Sequence, residues 1–178
     1  MPWGAIRFLE ELVSSKSCVF EYGSGGSTLF FAWRAASVTS VEHDASWGET
    51  VRGALQRGKI SNADFRVVAP ELEADPEYAS VVSGYDGMSF RKYARTICEF
   101  PDGHFDLVVV DGRARNSCVR EALAKIKPGG VLLLDNSERD KYRAAREMMS
   151  KSPHVKFYGL NPYQLDPGET TAWKLGDS

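Results

Sequence analysis

Apolar positions along the chain fall into two recurring patterns. The runs CVFEY (18–22), SVTSVE (37–42), DFRVVA (64–69), FDLVVVD (105–111) and GVLLLD (130–135) are short, continuous and rich in β-branched residues. Strands covered on both faces of a parallel sheet have this composition. The segments between them, STLFFAWRAA (27–36), ASWGETVRGALQRGK (45–59), SFRKYARTICEF (89–100) and RNSCVREALAKIK (115–127), repeat apolar residues near i, i+3 and i+4, as amphipathic helices do. Residues 1–16 and 138–151 read as two further helices.

Strand and helix in regular alternation predict a doubly wound, Rossmann-like α/β sheet with helices on both faces. The alternation fails near the end. HVKFYGL (154–160) and TTAWKL (170–175) are separated only by NPYQLDPGE, which leaves no room for a crossover helix. The expectation is a seven-stranded, mostly parallel sheet closed by an antiparallel hairpin, in one domain over 1–178. Residues 70–95 break the pattern and read as an excursion at a strand's carboxyl end, either a lid or a surface loop.

Composition narrows the function classes. With a net charge of −2, the 178 residues carry no basic footprint for nucleic acid or an anionic membrane. The start MPWGAIRFLEELV lacks the basic and apolar regions of a signal peptide, and no apolar run is long enough to span a bilayer. Cys18, Cys98 and Cys118 are far apart and in no CxxC arrangement, which fits free thiols and a cytoplasmic location. The three histidines show no zinc spacing.

The candidate chemistry begins at EYGSGGST (21–28). Three readings compete: a plain strand-to-helix turn, a phosphate or dinucleotide cradle, and a pocket for another adenosine cofactor. The dinucleotide fingerprint needs a third glycine where this chain has Thr28, and no G-K-[ST] follows for a P-loop. Nineteen residues after Gly23, Glu42 ends the second strand run. An ionised carboxylate there can accept hydrogen bonds from two vicinal ribose hydroxyls.

The set FEYGSGGST, SVEHD, FDLVVVDGRAR and IKPGGVLLLDNSER, in that order and followed by a terminal hairpin, resembles the class I S-adenosylmethionine-dependent methyltransferases over nearly the whole chain. The resemblance implies that Gly23, Ser24, Gly25 and Ser27 border the methionine part of the cofactor, with Glu21 near its amino group. It also implies that Glu42 holds the ribose and that His43 faces the adenine.

Asp111, Asp135 and Asn136 end the fourth and fifth strand runs, where ligands of open α/β sheets bind. Two carboxylates and an amide oxygen suit a divalent cation such as Mg²⁺, and this set resembles the metal ligands of catechol- and caffeoyl-CoA-type O-methyltransferases. That resemblance is partial, because Ala114 stands where the catechol-type enzymes carry a lysine base. The same residues could instead serve as a metal-free site with Asp111 as base, or as turn and helix caps. Arg113 and Arg115 are candidates to clamp a substrate carboxylate or phosphate, with Tyr85 as a further substrate contact and Asp86 and Tyr93 as weaker ones. The expected function is methyl transfer to an oxygen or nitrogen of a small or exposed acceptor. A non-catalytic adenosine-binding module and, less well supported, an NAD-linked oxidoreductase are the alternatives.

Overall fold

The computed structural model describes residues 1–162 and 164–176. One sheet contains β1 (Cys18–Tyr22), β2 (Ser37–Glu42), β3 (Ala63–Val67), β4 (Phe105–Val110), β5 (Ile126–Asp135), β6 (His154–Asn161) and β7 (Gln164–Lys174). The strand order is β3-β2-β1-β4-β5-β7-β6. All pairings are parallel up to β5, and β7 runs antiparallel to both β5 and β6. The chain therefore winds outward from β1 in both directions, as the alternating pattern predicts, and closes on a hairpin.

The period of two along each strand divides the core. Phe20, Tyr22, Val108, Val110, Leu132 and Leu134 point to one face and are buried there with Tyr93, Cys118 and Ala145. Those last three come from α4 (Arg91–Arg95), α5 (Arg115–Ala122) and α6 (Arg143–Met148). Val19, Leu107, Val109, Val131 and Leu133 point to the other face, where they meet Leu9 of α1 (Trp3–Leu12) and Phe31 of α2 (Gly26–Ala32). On that side α3 (Ala45–Arg57) packs on β2 and β3. Among the described residues no helix is long and apolar enough to cross a membrane.

Several boundaries differ from the sequence reading. The expected linker 161–169 is mostly strand, because β7 begins at Gln164 and pairs with β6 through Pro167 and Gly168. Tyr163, within that linker, lies outside the described residues. β5 engages β7 only from Thr170 onward, so Pro167 has a neighbour on one side and its missing N–H breaks no ladder on the other. PGG (128–130) lies within β5 rather than before it, at a register shift between Phe105 and Leu107 of β4. The helix expected over 138–151 starts in earnest only at Arg143. Asp135, Asn136 and Ser137 therefore do not cap it; Ser137 instead bonds Glu169 and Thr171.

Candidate functional site

The carboxyl ends of β1, β2 and β4 open onto a cavity of about 360 Å³. Gly23 forms its floor by a close approach between two loops. Its N–H donates to Val41 O at 2.9 Å, and its φ is +88°. A Cβ placed there would stand 2.8 Å from both Cα and N of Gly112. A Cβ on Gly112 would run into the Tyr93 hydroxyl. The two glycines thus let the β1 and β4 loops touch. Gly23→Ala combines left-handed strain with a backbone clash and is expected to cost about 3 kcal/mol or more, read from urea unfolding.

Glu42 lines the cavity and is only 3% exposed. Its Oε2 accepts from Ser24 N at 3.0 Å and Ser24 Oγ at 2.9 Å. Its Oε1 accepts from His43 N at 2.7 Å and Asp44 N at 3.0 Å, with His43 Nδ1 at 2.6 Å. Burial opposes ionisation, but these donors outweigh it and hold the carboxyl at about 2. His43 Nε2 lies 2.8 Å from the hydroxyl of Tyr85, which lines the cavity. The irregular segment that carries Tyr85 is tied down by bridges of Ser89 to Glu71 and Ala79, and by the buried rings of Tyr78 and Phe90.

Glu21 points to the α2 face of β1, fully buried beneath the glycine loop and outside the cavity lining. Its Oε2 accepts from Thr28 Oγ1 at 2.6 Å and Ser40 Oγ at 2.7 Å, while Oε1 is buried without a hydrogen-bond partner. Desolvation pushes this carboxyl up to about 7, and the hydroxyls of Ser27, Thr28 and Ser40 offset only part of that. Thr28 also accepts from Gly25 N at 3.1 Å, which fastens the loop to the strand. In the sequence Thr28 served only to exclude a dinucleotide cradle; a threonine three residues past Gly25, the residue just before α2, was the available signal for its bonding role. Trp47 and Asp44, both lining the cavity, were also missed. Trp47 Nε1 donates to Ser24 O at 2.9 Å across one side, and its only sequence signal was its place in the first turn of α3.

Asp111, Gly112 and Arg113 also line the cavity. The three expected metal-binding residues all direct an oxygen at one guanidinium. Arg115 donates from Nη2 to Asp111 Oδ1 at 2.8 Å and Asp111 O at 2.7 Å, and from Nη1 to Asp135 O and, at 3.4 Å, to Asn136 Oδ1. Nε donates to Gly112 O at 3.0 Å. All five donor positions of Arg115 are used, and the residue is 5% exposed. It therefore pins the ends of β4 and β5 together and offers no clamp to a substrate, unlike the sequence expectation. The Asp135 carboxylate turns to Thr170. This donor set suits a buried guanidinium better than a divalent ion, which would meet the positive charge at contact range. Among the described residues no group of three or more His, Cys, Asp or Glu side chains could hold a metal ion.

Asp111 keeps 38% of its side chain exposed. Desolvation raises its carboxyl to about 6, with Arg115 opposing and Asp135 assisting.

No protein-family model matches the chain, and no curated protein matches it in sequence. Solved structures do match in fold. An O-methyltransferase from Bacillus cereus in complex with SAH superposes with a TM-score of 0.71 at 15% identity, covering 98% of this chain and 82% of that one. A methyltransferase-like protein from Silicibacter pomeroyi gives 0.67 at 22% identity, covering 99% and 87%. An rRNA methylase from Streptococcus thermophilus gives 0.68 at 14% identity, covering 97% and 95%. The seven-stranded sheet with its closing antiparallel hairpin is the fold that these methyltransferases share with this chain.

Proposed function

We propose that the chain is an S-adenosylmethionine-dependent methyltransferase acting on an oxygen or nitrogen nucleophile of a small or exposed acceptor. The observation that carries this reading is the ionised Glu42 at the end of β2, lining one cavity with the Gly23–Gly112 contact. That pairing suits a ribose at Glu42 and a methionine chain over the glycines. The orphaned Glu21 oxygen beneath the loop suits a cationic group above it. The bound cofactor supplies a methyl group on a sulfonium, open to in-line displacement.

The remaining tasks fall to the protein. Asp111 would take the proton of a hydroxyl acceptor, since its carboxylate lines the cavity and titrates near the working pH. His43 would cover the nucleoside beside Glu42, and Tyr85, which reaches from His43 to Arg113, would exclude water. Arg115 supplies fixed positive charge beside Asp111, so the reading requires no resident Mg²⁺. The three cysteines are free thiols, which supports a reducing, cytoplasmic setting.

The related folds include an O-methyltransferase and an rRNA methylase, so the fold leaves the acceptor open. The compact cavity and slightly acidic chain favour a small molecule. Calorimetry provides the test. Saturable binding of S-adenosylhomocysteine, none of NAD and no uptake of Mn²⁺ are expected. Saturable binding of NAD alone would end the reading, and stoichiometric Mn²⁺ binding would end its metal-free form.

A further inference from the structure

The cavity lining carries the carboxylates of Glu42, Asp44 and Asp111 and the guanidinium of Arg113. Arg113 and Arg115 are two residues apart yet differ completely. Arg115 spends every N–H on the protein, whereas Arg113 forms no ion pair among the described residues and its Nε is buried without a hydrogen-bond partner. Its guanidinium lies 5.5 Å from the centre of the Tyr85 ring, which orients it at the cavity wall.

A second cation, Lys141, lies beyond the cavity lining, next to the Tyr142 ring. The main-chain oxygen of Lys141 accepts from Asn116 Nδ2 at 2.9 Å, which holds residue 141 over the start of α5. The Lys141 ammonium lies 5.4 Å from the centre of the Tyr142 ring, the same ring that the Arg115 guanidinium approaches at 4.9 Å. No carboxylate pairs with Lys141 among the described residues. Its ammonium is pushed down by desolvation, and further by the positive charges of Arg139, Arg115 and Arg113. Cations gathered around one ring repel one another, and an arriving anion relieves that cost. The planar guanidinium and the compact ammonium suit a carboxylate or phosphate equally well.

Building on the methyltransferase reading, we infer that Arg113 and Lys141 form an anion subsite on the acceptor side of the cleft. The methyl acceptor carries a carboxylate or a phosphate that docks there, with its nucleophile turned toward Asp111.

The test uses the full chain saturated with S-adenosylhomocysteine. Inorganic phosphate, benzoate and neutral benzyl alcohol are titrated in turn, followed by amide shifts in the nuclear magnetic resonance spectrum. At least one anion is expected to bind saturably with shifts centred on Gly112 and Arg113, while benzyl alcohol does not; whichever anion binds names the acceptor class. Arg113→Gln is expected to weaken that binding about 10-fold or more and Lys141→Gln about 3-fold, as expected for losing charge-assisted contacts. Lys141→Gln should bind S-adenosylhomocysteine within about twofold of the parent, since Lys141 stands outside the cavity lining.

Three results would overturn the inference: no saturable anion binding, equal binding in Arg113→Gln, or a large loss of S-adenosylhomocysteine affinity in that variant. The last would assign Arg113 to the cofactor's own carboxylate. If the parent chain fails to bind S-adenosylhomocysteine at all, the methyltransferase reading falls instead.

Discussion

Glu42→Ala is expected to weaken S-adenosylhomocysteine binding about 10-fold or more, and also to cost folding stability. The first effect follows from losing a charge-assisted acceptor for the ribose. The second follows from linkage. A carboxyl held at about 2 when folded, against 4.5 otherwise, contributes on the order of 3 kcal/mol. Because the shift is downward, that contribution is complete above pH 4.5 and fades as the pH falls toward 2. At neutral pH the alanine variant should therefore unfold at lower urea than the parent, and at pH 2 the two should converge.

Lost binding and lost stability can be separated at Ser24. The Glu42 oxygens already accept from Ser24 N, Ser24 Oγ, His43 N and Asp44 N. A carboxylate has about four lone-pair sites, so a ribose diol must displace at least one donor. The Ser24 hydroxyl is the one free to rotate away. Ser24→Ala should accordingly leave affinity unchanged or raise it, where a loop whose only role is structural would lose affinity. Calorimetry on the two variants decides: if Glu42→Ala binds like the parent, the carboxylate does not hold the nucleoside.

The parts of the site legible in sequence were those fixed by strand ends. β1 and β2 run over the residues that the apolar runs mark, because continuous β-branched segments buried on both faces have few alternatives. Gly23, Glu42 and Asp111, at the ends of β1, β2 and β4, line the cavity, whereas Asp135 at the end of β5 turns its carboxylate to Thr170. Arg115 shows the limit. From sequence it was a cation next to Asp111, and only the left-handed turn at Ala114 reveals that α5 begins by folding that side chain back under the loops. Ser40 was equally hidden, because a buried hydroxyl bonded to Glu21 looks in sequence like any small polar residue. Pro167 misled in the opposite direction: a turn-former in composition, it sits in a strand stretch paired on one side only.

Glu21→Gln should change the pH dependence of both folding and binding, with a sign opposite to that of Glu42. Burial raises Glu21 from 4.5 to about 7, so the folded chain keeps a proton that the unfolded chain has already lost. Stability therefore falls as the pH rises through that window, by on the order of 3 kcal/mol, and the cost is complete above pH 7. Glutamine cannot ionise, so urea unfolding from pH 4.5 to 8 should show a flatter profile in the variant, whatever its absolute stability. A cationic ligand seated above Glu21 would reverse the parent's cost by favouring the carboxylate. S-adenosylmethionine should then bind more tightly as the pH rises toward 7 and release up to one proton per site at pH 6. Calorimetry in buffers of differing ionisation enthalpy reads that proton directly, and the glutamine variant should release none. Equal proton release in the variant would detach Glu21 from cofactor binding and leave it a cost of burial with no compensating role.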